Sequence, residues 1–261
     1  MLPLSRVCAV LLLVINPAHS TVTDLTPTCA KGCKCLGPWA KCIRGNVKDL
    51  PGHFGPQIET ISLQSYNIVS IEANAFSEFK VLNLWKLDIL NCEVVTIKRN
   101  AFNGLQELLS LHLDNNEIEI IEAGAFSALL KLNTLSFQHN KLKTLDSGMF
   151  DGLVSLNLLN LNDNLLKSLK PRLFEKAQFL TTILVKENWI ETVDRSILEG
   201  LNKTAQLYIG KNPLVCNCAL KKEWPLLRDR IVGATCLSPS NLAGSSWNVL
   251  EGLNCDPSKE N

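Results

Sequence analysis

The sequence is short of several things at once: it has 2 Tyr, 2 Met and 4 His in 261 residues, with all aromatic residues together at 6 %. It also lacks an excess of charge of either sign. Lys and Arg number 26 against 25 Asp and Glu, so there is no field to gather polyphosphate and nucleic-acid binding loses its main driving force. Electrostatic attachment to a membrane surface loses its driving force for the same reason. Beyond residue 20 no apolar run approaches the ~20 residues that a membrane-spanning helix needs, and the end, Asp256 to Asn261, has neither a lipid-anchor tail nor a retention signal. There is no His-Glu-x-x-His, no Gly-x-Ser-x-Gly and no Gly-rich phosphate loop. No enzyme and no cofactor are expected.

Two residue types are abundant, 46 Leu and 24 Asn, and so narrow a recipe points to one small unit used repeatedly. Residues 1–20 read as a secretory signal peptide: Arg6, an apolar run from Val7 to Ile15, Pro17, then small residues around a cleavage point. The product is expected to be secreted. Eight of the 10 Cys residues form two clusters, Cys29, Cys33, Cys35 and Cys42, and Cys216, Cys218, Cys236 and Cys255. In an oxidising compartment each group of four implies two disulfides with three possible connectivities. Two tetrahedral zinc sites are the competing reading, disfavoured because no Cys-x2-Cys pair is present.

Between the clusters a Phe or its equivalent recurs at Phe76, Phe102, Phe126, Phe150, Phe174 and Leu198, spaced by 26 and then 24 residues. Ten residues before these stand Tyr66, Cys92, Asn116, Asn140, Asn164 and Asn188, followed by Asn212. Thirteen and 15 before are aliphatic or aromatic residues throughout, from Leu63 and Ile61 to Ile209 and Leu207. In each Leu-x-Leu the two apolar side chains share one face of a short strand and the residue between faces the other way. The Asn amide can satisfy backbone groups where the chain leaves the strand. No unit buries its own apolar face, so stability must come from stacking, with caps at the ends. The two extra residues of the 26-residue unit fit best around Lys80 to Leu84.

These motifs resemble the extracellular leucine-rich repeat proteins of the 24-residue type with cysteine-rich caps, over about residues 29 to 255. The stretch Asn212-Pro213-Leu214-Val215-Cys216-Asn217-Cys218-Ala219-Leu220, followed by Trp224, is similar to that family's C-terminal cap. The resemblance implies an α/β solenoid, a curved horseshoe with a parallel concave β-sheet and disulfide-bonded caps at both ends. It implies the pairs Cys29 to Cys35, Cys33 to Cys42, Cys216 to Cys236 and Cys218 to Cys255. The organisation is then a signal peptide (1–20), an N-terminal cap (21–57), repeats (58–211), a C-terminal cap (212–255) and a tail (256–261).

The side chains left facing outward on the strands vary from repeat to repeat, which suits recognition of one irregular protein surface. The candidate ligand contacts are Asp88, Leu90, His112, Asp114, Gln138, His139, Asn160, Asn162, Leu184, Lys186, Trp189 and Tyr208. His112, Asp114 and His139 could be drawn as a metal or acid-base cluster, although a solvated polar surface explains them as well. Seven strands at ~4.8 Å give a face of ~430 Å², less than the ~800 Å² per partner of a standard interface, so a cap or flanking loops must contribute. Trp189 follows Asn188 at the strand exit and serves either as a contact or as packing. Trp39, Trp224 and Trp247 are expected to pack inside the caps, and Glu117, Glu119 and Glu122 to form a solvated edge. Asn202, in Asn202-Lys203-Thr204, is the one N-glycosylation sequon found. Cys92 reads as a buried thiol, with a link between two chains as the sharper alternative. The expected function is binding of a protein ligand through the concave face and C-terminal flank. Two alternatives are an inhibitory or carrier subunit complexed with an enzyme, and innate recognition of a microbial glycan or lipid. A monomer or hetero-complex is expected rather than a covalent dimer.

Overall fold

The computed structural model describes residues 29–43, 51–146 and 148–255. The expected signal peptide and tail lie outside the described residues. The chain winds as a solenoid around one ten-stranded sheet. Its strands are β1 (Cys33–Leu36), β2 (Trp39–Ile43), β3 (Thr60–Gln64), β4 (Lys86–Leu90), β5 (Ser110–His112), β6 (Thr134–Ser136), β7 (Leu158–Asn160), β8 (Thr182–Leu184), β9 (Gln206–Tyr208) and β10 (Ile231–Val232). β1 and β2 form an antiparallel hairpin, and every later neighbour is parallel in chain order. The sheet therefore runs past the repeats at both ends. β1 and β2 belong to the first cysteine cluster, and β10 follows Trp224, beyond the seven strands read from the repeat.

The register locates the insertion. Thr60 pairs with Lys86, 26 residues on, and Lys86 with Ser110, 24 residues on. Strand start to Phe is constant, so the two extra residues lie between Phe76 and Lys86, where a 3-10 turn spans Ser77–Val81.

Each strand ends the same way. Ser65, Asn91, Asn115, His139, Asp163, Glu187 and Lys211, the position just before the Asn column, all have φ between 53° and 58°. That left-handed conformation turns the chain off the strand; it strains β-branched residues most, and none occurs in the column. The next residue is the ladder Asn, buried in every repeat that has one. Asn140 shows the pattern: Nδ2 donates to Leu113 O one repeat back and to Phe137 O of its own strand, both at 3.0 Å. Its Oδ1 accepts from Ile118 N at 3.0 Å. Cys92 substitutes with a weaker donor, its buried Sγ lying 3.2 Å from Leu90 O and 3.5 Å from Leu63 O, and its own N–H donates to Asn116 Oδ1.

Behind the sheet, Leu, Ile and Val from the strands meet a column of Phe rings. Phe76, Phe102 and Phe126 stack with centroids 5.4 Å apart, and Phe137 then packs edge-on to Phe126 at 5.8 Å. This outer side is built of turns, 3-10 segments and a short parallel sheet of Ser70–Ile71, Thr96–Ile97 and Ile120–Ile121. The one α-helix among the described residues, α1 (Cys218–Leu227), sits in the C-terminal cap, capped by Asn217 Oδ1 accepting from Leu220 N at 3.0 Å. It buries Leu220, Trp224 and Leu227 against the end of the core. Disulfides Cys29–Cys35 and Cys33–Cys42 tie the first cap, and Cys216–Cys236 and Cys218–Cys255 the last.

Candidate functional site

Strand parity decides what the inner face presents. Three rows run across the sheet in register. The middle row is Lys41, Ser62, Asp88, His112, Ser136, Asn160, Leu184, Tyr208 and Val232. The row toward the strand exits carries Gln64, Leu90, Asp114, Gln138, Asn162, Lys186 and Gly210. Sequence reasoning missed the third row, at the strand entries: Trp39, Thr60, Lys86, Ser110, Thr134, Leu158, Thr182 and Gln206. It could have been found by counting two further residues back along each strand. With ten strands the face widens to about 43 Å, or roughly 650 Å², closer to one side of a standard interface.

The polar side chains of this face are tied to each other across strands. Asp88 is buried, its Oδ2 3.2 Å from Lys86 Nζ and its Oδ1 3.0 Å from His112 Nδ1. His112 Nε2 in turn lies 3.2 Å from Ser110 Oγ. The order of groups is that of a nucleophile, base and acid, but Asp88 Oδ1 accepts no hydrogen bond among the described residues, so His112 lies close to the carboxylate without being oriented by it. Two backbone N–H groups beside it are not free to meet a developing oxyanion: Ser110 N is spent on Trp85 O and Leu113 N on Ser136 O, in the sheet ladder. Asp114 accepts from Ser136 Oγ and from Gln138 N at 2.8 Å. Gln138 reaches Asp163 Oδ2 at 3.2 Å and accepts from Asn160 Nδ2 at 3.3 Å. Asn162 Oδ1 accepts from Lys186 N at 2.8 Å. His112, Asp114 and His139 are therefore not drawn together: the first turns to Asp88, the second to Ser136, and His139 lies 3.8 Å from Asp163.

The C-terminal side differs in character. Burial raises the Asp163 carboxyl above its ordinary range and neighbouring Glu187 adds to the rise, while Lys211, paired to Glu187, holds the Glu187 carboxyl below it. Lys186 Nζ lies 5.8 Å from the Tyr208 ring centroid, and Leu184 is half-buried beside it in register. Trp189 is 58 % exposed. It lines an open cleft of about 540 Å³ with Glu187, Lys211, Pro213, Leu237 and Gly244, where the last repeats meet the C-terminal cap. Leu237, also exposed, was not signalled by the repeat, because the repeat ends before it.

One aromatic expectation is corrected. Trp224 and Trp247 are buried, but Trp39 is 59 % exposed. Ala40 and Cys42 take the inward positions of β2, so parity turns Trp39 and Ile43 out. The acidic edge residues are paired by the repeat: Glu117 with Lys141, Glu119 with Lys143 at 3.7 Å, and Glu122 with Lys98 at 3.0 Å. Each pair is 24 residues apart. Asn202 is exposed just before β9 on the strand-entry edge, and its Oδ1 accepts from Thr204 N and Oγ1 at 3.0 and 2.9 Å.

Among the described residues no helix is long and apolar enough to cross a membrane. The leucine-rich repeat family model matches residues 83–142 and 110–166. Among solved structures the chain is similar to human 5T4, described as Wnt-activated inhibitory factor 1 and trophoblast glycoprotein. The TM-score is 0.62 at 19 % identity over 88 % of this chain and 98 % of that one. No curated protein matches.

Proposed function

We propose, on the premise that the chain is a leucine-rich repeat protein with cysteine-rich caps, that it is secreted and binds a protein ligand through its concave face and C-terminal flank. Such solenoids are interaction modules, and the observation that carries this reading is the contrast between the two sides of one sheet. The buried rows are uniform, whereas the inner rows hold a cross-braced polar centre followed by Leu184, Tyr208 and the Trp189 cleft. Cross-bracing fixes side chains before a partner arrives, which lowers the ordering cost of binding. Exposed aromatic residues at a cleft are the kind of anchor that dominates interface energy.

Four cap disulfides fit an oxidising, extracellular compartment, and glycosylation at Asn202 on the strand-entry edge would leave the Trp189 cleft, on the strand-exit edge, open. The cap, repeat and cap organisation at 21–57, 58–211 and 212–255 is retained in this reading, and no enzymatic step is assigned. The test is affinity capture from the native fluid, with the secreted chain and its Leu184→Asp/Tyr208→Ala variant as parallel baits. One stoichiometric protein retained by the first and lost by the second is the expected result. A protein retained equally by both places the contact elsewhere, and capture of polysaccharide or lipid alone contradicts a protein ligand.

A further inference from the structure

The N-terminal hairpin puts its most exposed side chains on the inner side of the sheet. Leu36 is opposite Trp39 and Lys34 opposite Lys41 in the β1–β2 register, and Ile43 follows on the same face. Leu36, Trp39 and Ile43 are 76 %, 59 % and 48 % exposed, and both lysines are exposed. Two like charges directly opposite on one face of a hairpin are destabilising by themselves. Among the described residues neither lysine has an ion pair. Residues 29–43 contain Lys31, Lys34 and Lys41 and no acid, and the rows beside them on β3, Thr60, Ser62 and Gln64, are uncharged. The first acid along the inner rows is Asp88, already held by Lys86 and His112. The face is therefore apolar and basic, with no compensating acid on its strands or on β3 among the described residues, and two disulfides hold its shape.

We propose that this hairpin face docks an acidic segment of a protein partner, in which carboxylates alternate with large apolar side chains. The inference rests on the reading that the inner side receives a protein, and it adds an N-terminal anchor to that site. Carboxylates opposite Lys34 and Lys41 relieve their repulsion, while apolar side chains cover the Leu36–Trp39 pair and Ile43. A second copy of the chain fits poorly, since it would bring four lysines together. A bilayer fits poorly because the patch continues into the inner face of a curved sheet, which a flat surface does not enter.

The test uses the full secreted chain and a fluorescein-labelled peptide alternating Glu with Leu and Phe, read by anisotropy, beside the same peptide with Lys in place of Glu. Wild type and Leu184→Asp/Tyr208→Ala are expected to bind the acidic peptide alike. Lys34→Glu/Lys41→Glu and Trp39→Ser are each expected to weaken it about ten-fold or more, with binding that falls as salt rises. Unchanged circular dichroism of these exposed-site variants shows that the fold is kept. No binding by wild type, equal binding by the hairpin variants, or equal binding of the Lys peptide overturns the proposal. Loss of the peptide on Leu184→Asp/Tyr208→Ala alone overturns it too, while leaving the C-terminal contact patch in place. Capture by phosphatidylserine vesicles that Lys34→Glu/Lys41→Glu abolishes, or a dimer that Trp39→Ser dissolves, assigns the face to a membrane or a second copy and also overturns it.

Discussion

Asn164 donates from Nδ2 to Phe137 O, 27 residues earlier, at 2.9 Å. The same amide donates to Leu161 O at 3.1 Å and accepts from Leu142 N at 3.0 Å, all at buried positions. One side chain thus satisfies three backbone groups, two in the preceding turn of the solenoid and one in its own, that no strand ladder reaches. Replacing it with Leu keeps the volume and orphans those groups, each costing about 1–3 kcal/mol. Asn164→Leu is expected to lower unfolding stability by about 3 kcal/mol or more in urea titration, whereas Asn160→Leu, on the inner face, changes it little.

Glycine spacing makes a second claim on the same stacking. Gly152 has φ of 92°, and a Cβ there would lie 2.6 Å from Ser127 Cα and 2.7 Å from Ser127 O. Gly37, with φ of 57°, would meet nothing within 4 Å. Gly37→Ala therefore carries only conformational strain, about 1 kcal/mol, while Gly152→Ala must also push two repeats apart. Thermal unfolding should show the larger drop for Gly152→Ala, and equal drops would mean that the repeats are not in contact there.

Cys92 is the free cysteine among the described residues, and it is fully buried. Burial raises its thiol pKa, against the hydrogen bonds from its surroundings, so little thiolate is present near neutral pH. Native protein is expected to resist iodoacetamide and to run as a monomer without reductant. In the secreted chain without residues 1–20, and so without Cys8, one site should be labelled after denaturation with the disulfides intact. A disulfide-linked dimer would contradict this placement.

Glu122 is one contributor to the pH dependence of stability. Its carboxylate accepts from Arg99 N at 2.8 Å and pairs with Lys98, which together lower its pKa. A depressed carboxyl pKa contributes stability above the ordinary carboxyl range, and that contribution is lost as pH falls through the folded value. Glu122→Gln should flatten the fall in melting temperature below about pH 5, with the two proteins converging at the lowest pH. A steeper fall in the variant would reverse the sign.

Much of the scaffold was legible in the sequence because its rules are local. Leu63 and Ile61 alternate as a strand must, and the Asn column recurs where the chain leaves it, so neighbouring turns could be stacked by counting. The left-handed column from Ser65 to Lys211 was present in the same count, but its residue types share no chemistry that announces a backbone angle. The ion pairs Glu117–Lys141 and Glu119–Lys143 were hidden for a different reason: neither residue is a neighbour of the other until the 24-residue register is fixed. Trp39 departs from expectation because proximity to cap cysteines suggests core without fixing which face of the strand a side chain takes. The inward Ala40 and Cys42 of the same strand already set the opposite parity. The inner face was least legible of all, since its contacts, such as Asp88 with His112, depend on rotamers across strands and not on spacing.

The most direct measurement of the central claim is hydroxyl-radical footprinting of the secreted chain with and without its captured partner. Trp189 and Phe179 provide matched reporters, 58 % and 65 % exposed on different sides of the solenoid. Binding through the concave face and C-terminal flank predicts that oxidation of Trp189, Tyr208 and Leu184 slows several-fold while Phe179, Leu130 and Val154 keep their rates. Protection of Phe179, Leu130 and Val154 with Trp189 and Tyr208 unchanged would contradict it.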